Sequence, residues 1–163
     1  MITVDIRTLR SADPGASEPF RFSTPAPKLE DLQSLRDLKG SGTVTRLGDR
    51  YLVAGDLTAT ARLECSRCLK PFEHPIEEPL SEEFTKEPTE EQFPAENERL
   101  VLDPMLRAVI LTSLPEKPLH DPACRGLCPA CGKDLNVEPH THAPEKGPGD
   151  DEHPFGDLKR FKR

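Results

Sequence analysis

Apolar and polar residues alternate with a period of two over several stretches of this chain, the signature of half-buried strands. In residues 1–9, Ile2, Val4 and Ile6 share one side and Thr3, Asp5 and Arg7 the other, which predicts a first strand. Residues 11–28 contain Pro14, Gly15, Pro19, Pro25 and Pro27 and predict an irregular connection. Leu29, Leu32, Leu35 and Leu38 then recur every three residues, close to helical spacing, and predict a short helix ending before Gly40 and Gly42. From Thr43 the period returns to two. Leu47-Gly48-Asp49-Arg50 reads as a turn, and Val53, Gly55, Leu57, Ala59, Ala61 and Leu63 line one face of a long hairpin arm. Gly55 is the expected bulge or bend of that arm. Phe72, His74 and Ile76 open a returning strand running to Phe84, and Pro75 and Pro79 make it an edge strand. Asp103-Pro104 predicts an N-cap followed by proline at the first helical position. Leu106, Val109, Ile110 and Leu114 give this second helix, residues 103–114, one apolar face. Residues 86–97 read as a mobile tip, and residues 139–154 as turn-rich and disordered unless a ligand or partner orders them.

Composition narrows the functional classes. The 163 residues carry 22 Lys+Arg and 29 Asp+Glu, a formal charge of −7, with 18 prolines and no Trp. No apolar run is long enough for a membrane helix, and charges at Asp5, Arg7 and Arg10 interrupt any signal-like start. The expectation is a soluble, cytoplasmic protein without a membrane partner. The negative charge argues against a generic phosphate binder, but the charge is uneven. Residues 73–98 hold ten Glu and one Lys, whereas the remainder is slightly positive and ends in Lys159-Arg160-Phe161-Lys162-Arg163. The acidic segment reads first as a solvated loop, and alternatively as an arm for a basic partner. Lys159, Arg160, Lys162 and Arg163 are candidate partner-binding residues.

The chemistry lies in five cysteines. Cys65-Ser66-Arg67-Cys68 and Cys128-Pro129-Ala130-Cys131 are two C-x-x-C pairs, a spacing at which both sulfurs can face one ion. Gly132 supplies the positive φ that a metal knuckle needs after its second cysteine. Cys65, Cys68, Cys128 and Cys131 are the expected ligands of one structural zinc, with Cys124 the spare thiol and an alternative ligand. Two other readings stay open: a thiol–disulfide oxidoreductase or redox sensor using one pair, and unligated thiols. His74, His120, His140, His142 and His153 read first as solvated loop histidines, although His140-Thr141-His142 could chelate weakly and His120 stands four residues before Cys124. No phosphate loop, nucleophile elbow or H-E-x-x-H motif is present, so neither catalysis nor a small-molecule substrate is expected.

Four blocks carry a family resemblance: LECSRCLKPFEHPI (63–76), LVLDPMLRAVILTSLPEKPLH (100–120), CRGLCPACGKDLN (124–136) and HPFGDLKRFKR (153–163). In these blocks and their order the chain resembles the YceD family, the large ribosomal RNA subunit accumulation proteins of bacteria. The resemblance implies a non-enzymatic role in synthesis, processing or stability of large-subunit ribosomal RNA. It also implies a link to that RNA or to a large-subunit ribosomal protein. The expected architecture is α+β: an antiparallel sheet that could be barrel-like, one packed helix, and two zinc-ribbon-like cysteine knuckles. Residues 1–138 form the expected single domain, and residues 139–163 a flexible tail.

Overall fold

The computed structural model describes residues 1–30, 32, 34–96 and 98–142. The chain divides into two compact units, Met1–Cys124 and Arg125–Arg163.

In the first unit, strand β1 (Thr3–Asp5) leads into helix α1 (Arg7–Ser11). Four long strands follow: β2 (Ser17–Thr24), β3 (Leu35–Leu47), β4 (Arg50–Glu64) and β5 (Pro71–Thr85). Two short strands, β6 (Phe93–Pro94) and β7 (Arg99–Val101), precede helix α2 (Asp103–Ser113). The main sheet has the order β2-β3-β4-β5-β6, and β1 pairs separately with β7. Every pair is antiparallel except β5 with β6, which joins Phe84 to Phe93 in parallel. The sheet is open, so the barrel-like alternative does not hold. No helix among the described residues is long and apolar enough to cross a membrane.

The β3–β4 hairpin turns on Gly48-Asp49, with Leu47 opposite Arg50 and Gly48 at φ +73°. Positive φ suits glycine and matches the right-handed twist of paired strands. Along β4, Tyr51, Val53, Leu57, Ala59 and Ala61 are buried, the face expected from the alternation. Gly55 is not a bulge. It lies directly opposite Gly42, and a Cβ on either residue would run into the backbone of the other strand. Only hydrogen fits between the two chains there. Phe22 lies over Gly40 in the same way, covering a glycine on the edge hairpin with an aromatic ring.

The bulge is elsewhere. Arg36 pairs with Thr60 and Lys39 with Thr58, so three steps on β3 match two on β4, and Asp37 takes φ +51°. One extra residue shifts the phase of alternation. Leu35 and Leu38, three apart, therefore both point into the core. The spacing that suggested a helix is the imprint of a β-bulge. The connection expected at 11–28 also contains a strand. Pro19 sits in β2 because that strand is an edge, where a missing N–H breaks no ladder bond.

β6 borders β5 only at Phe84 and Thr85, so β5 is an edge along most of its length but not at its end. Pro71, Pro75 and Pro79 are four apart in the strand, so all three present their ring nitrogens to the same side, away from β4. The acidic segment is thus not simply a loop: Glu73, Glu77, Glu78, Glu82 and Glu83 belong to β5. Glu83 accepts from Arg50 at 2.7 Å and from Gln92 at 3.0 Å. The expected mobile tip returns to the sheet, with Phe93 packed on Phe84 at 5.5 Å between ring centres.

One face of the sheet is closed by Ile6 and Leu9 of the N-terminal segment, Leu29 and Leu32, and Met105, Leu106 and Ile110 of α2. Arg46 reaches from β3 to cap α1, donating to the Arg10 carbonyl at 2.8 Å and to that of Ala12. Asp103 begins α2 one residue later than an N-cap. Its Oδ1 accepts from the Ile2 N–H at 2.7 Å, while the Leu102 N–H donates back to Ile2 O at 2.9 Å. Asp103→Ala should cost about 1–2 kcal/mol by leaving the Ile2 N–H unpartnered, and Asp103→Asn much less. Denaturant titration of both variants checks this.

Candidate metal centres

Both C-x-x-C pairs sit in the same backbone device. In the first, the Cys65 N–H donates to Lys70 O at 3.0 Å and the Leu69 N–H to Cys65 O at 2.9 Å. In the second, the Cys128 N–H donates to Lys133 O at 2.8 Å and the Gly132 N–H to Cys128 O at 2.8 Å. Each turn closes on a left-handed residue, Gly132 at φ +71° as expected, and Leu69 at φ +60°. Leucine holds that conformation at a cost of roughly 1–2 kcal/mol, and its side chain is 61% exposed, so packing gives little in return. Leu69→Asn, which tolerates this region better, should raise stability by about 0.5–1 kcal/mol; thermal melts against Gly132→Ala, which should lose a similar amount, read both.

The first knuckle joins β4 to β5. The segment after α2 comes back over it: the Ser66 N–H donates to Pro118 O at 2.8 Å, and Arg67 Nη1 to Cys124 O at 2.7 Å. The Cys124 N–H in turn donates to Asp121 O at 3.0 Å. These bonds bring His120 and Cys124 to the knuckle. Cys65 Sγ is 3.8 Å from Cys124 Sγ, and Cys68 Sγ is 3.5 Å from His120 Nδ1. All four donor atoms lie within 4.8 Å of one another. Cys65, Cys68 and Cys124 are buried and His120 is half-buried.

The second knuckle lies in the second unit. A bridge of Leu127 with Asp134 and a bond from the Leu135 N–H to Gly126 O at 2.9 Å hold its base. The chain then folds back, placing His140 Nε2 at 3.2 Å and His142 Nε2 at 3.3 Å from Cys131 Sγ. His140 Nδ1 lies 2.7 Å from the Glu138 carbonyl, which fixes Nδ1 as the protonated nitrogen and leaves the Nε2 lone pair free. Cys128, Cys131, His140 and His142 likewise keep their donor atoms within 4.8 Å. Cys131 and His142 are exposed.

The electrostatics suit a cation. Burial opposes ionisation of Cys65, but the His120 ring and the N–H groups of His120, Arg67 and Cys68 outweigh it and hold the thiol down to about 5. Burial likewise opposes Cys128, while the N–H groups of Cys131 and Ala130, then Cys131 and His140, bring it down to about 6. For Cys68 the Lys70 N–H favours the thiolate, yet burial and the Cys124 and Cys65 sulfurs push the thiol above its ordinary value. Three sulfurs this close repel as anions unless a positive charge sits among them. Each group is a mixed Cys/His set that could hold a metal ion.

The structure places the expected ligands in two separate donor groups. Cys65 and Cys68 stand together with His120 and Cys124, all within the first unit, and Cys128 and Cys131 with His140 and His142 within the second. His120, His140 and His142, expected first as loop histidines, each offer a ligand atom here. The signals were His120 four residues before Cys124 and the His-x-His pair at 140 and 142. Lys159, Arg160, Lys162 and Arg163 lie outside the described residues, as does the tail from 143 onward.

Uncharacterized proteins of Mycobacterium bovis and of two Mycobacterium tuberculosis strains are each 33% identical to this chain over 109 residues, 61% of this chain and 52% of theirs. The chain thus spans about half the length of these curated relatives. No solved structure matches it. Residues 53–162 match the family described as "Large ribosomal RNA subunit accumulation protein YceD", a span that takes in both knuckles and α2. The chain belongs to the YceD family.

Proposed function

We propose that this protein is a non-enzymatic, cytoplasmic factor that supports synthesis, processing or stability of large-subunit ribosomal RNA, working by binding, with one structural zinc in each Cys/His group. The observation that carries the metal assignment is the edge length of the donor sets. Tetrahedral zinc, with bonds of about 2.3 Å to sulfur and about 2.0–2.1 Å to nitrogen, has edges of about 3.8 Å between sulfurs and about 3.6 Å between sulfur and nitrogen. The first group has 3.8 Å between sulfurs and 3.5 Å between sulfur and nitrogen, matching both edges; the second has two sulfur–nitrogen distances, 3.2 and 3.3 Å, somewhat shorter than that edge. Zinc in the first would be held by Cys65, Cys68, Cys124 and His120, and in the second by Cys128, Cys131, His140 and His142. It supplies cross-linking charge there and no reaction step. A dithiol oxidoreductase needs a C-x-x-C pair free of further ligands, and here each pair faces two more donors, which favours ligation.

The role rests on membership of the family, whose description names large-subunit ribosomal RNA. Its partner is that RNA or a large-subunit ribosomal protein. Depletion in the native host should lower large-subunit relative to small-subunit ribosomal RNA, and the intact chain should restore it. An unchanged ratio overturns the role. Two zinc per reduced chain by elemental analysis supports the metal assignment, and a metal-free, folded chain removes it.

A further inference from the structure

We infer that the Cys128–Cys131 group is a peroxide-sensitive release site, whereas the Cys65–Cys68 group keeps its metal; this rests on the zinc assignment above. The two groups differ in access. In the first, Cys65, Cys68 and Cys124 are 0%, 8% and 2% exposed, and the returning segment roofs them. In the second, Cys128 is 6% exposed, but Cys131 and His142 open to solvent. An oxidant must reach sulfur along its reaction axis, so an exposed thiolate with a second thiolate beside it is the susceptible arrangement.

The step balances with hydrogen peroxide as the oxidant. The Cys131 thiolate attacks one peroxide oxygen, the O–O bond breaks, and Cys131 becomes a sulfenic acid with loss of hydroxide. The Cys128 thiolate then attacks the Cys131 sulfur, the S–S bond forms, and a second hydroxide leaves. Two thiolates lose two electrons in all, and peroxide, with two protons, becomes two waters. A site that had two thiolates and two imidazoles is left with two imidazoles, too few donors to retain the ion.

Topology limits the consequence. The four donors of the second group lie within residues 128–142, inside one unit. The first group instead ties the β4–β5 knuckle to residues 120 and 124, beyond α2. Oxidation should therefore loosen residues 125–142 and leave the sheet folded, a local redox response in a protein whose core does not change.

The test uses the full reduced, zinc-loaded chain, hydrogen peroxide and a chromogenic zinc chelator, with differential alkylation and peptide mass mapping. One of two zinc equivalents should appear at least tenfold faster than the other, with a Cys128–Cys131 disulfide and unmodified Cys65, Cys68 and Cys124. Cys131→Ser should start with one zinc and lack the fast phase. If that variant does not fold, the wild-type peptide map decides alone. Two zinc released together, or early oxidation of Cys65, Cys68 or Cys124, overturns this inference and leaves the metal assignment standing. Fewer than two zinc at the start overturns both.

Discussion

Cys124→Ser is expected to remove one of the two proposed zinc ions and to lower the melting temperature by on the order of 10–20 °C. Cys124 is 59 residues from Cys65, and their sulfurs are 3.8 Å apart. A cross-link over that separation restrains the unfolded chain and also pins the segment after α2 to the end of the sheet. Loss of one ligand leaves Cys65 and Cys68 as crowded, buried sulfurs whose mutual repulsion the cation had offset. Apparent zinc binding in small zinc domains reaches about 10–16 kcal/mol; here the sheet has its own core, so only part of that should appear as lost stability. Cys131→Ser should remove the other zinc with a much smaller change in melting, because its group ties together a short stretch of the second unit. Elemental analysis beside calorimetry separates the two variants. Equal melting shifts would contradict the division of labour between the groups.

Gly42→Ala is expected to destabilise the first unit by about 3 kcal/mol or more, a melting shift of roughly 10 °C. The added methyl would fall on the Ala54 carbonyl and the Gly55 Cα of the facing strand. Neither atom belongs to a flexible side chain, so β3 and β4 would have to separate at the centre of their longest ladder. Gly55→Ala meets the Ser41 carbonyl and Gly42 Cα in the same way. Gly48→Ala is the control: its Cβ would stand in open space, and only the positive φ is strained, for about 1 kcal/mol. Urea titrations of the three variants give the ranking, and a Gly42→Ala cost no larger than that of Gly48→Ala would refute the close-contact account.

Much of this was readable in the residues. The inward face of β4 follows from strict alternation, the Gly48-Asp49 turn from its glycine, the outer side of β5 left open ahead of β6 from its prolines, and α2 from Asp103-Pro104 ahead of an apolar stripe. Each depends on neighbours no more than a few positions away. Three errors share the opposite origin. Leu35 and Leu38 looked helical because alternation cannot reveal that a bulge has slipped one strand against another. β2 looked irregular because Pro19 is tolerated only once the strand is known to be an edge. The acidic run reads as a loop because its charge is the same whether or not the backbone between the glutamates is paired.

The metal groups divide along the same line. C-x-x-C spacing with a left-handed residue after it is a local property, and it marked both knuckles without any knowledge of the fold. The other two donors of each group are set by where the chain returns. Arg67 and Ser66 bind carbonyls near Cys124 and Pro118, over 50 residues away, and so bring His120 and Cys124 to the first pair. The bridge of Leu127 with Asp134 turns the chain so that His140 and His142 reach the second. Short-range geometry thus pairs the cysteines in two like turns. Long-range hydrogen bonding, which no spacing along the chain encodes, gathers two mixed Cys/His groups that could each hold a metal ion, where the residues alone suggested one.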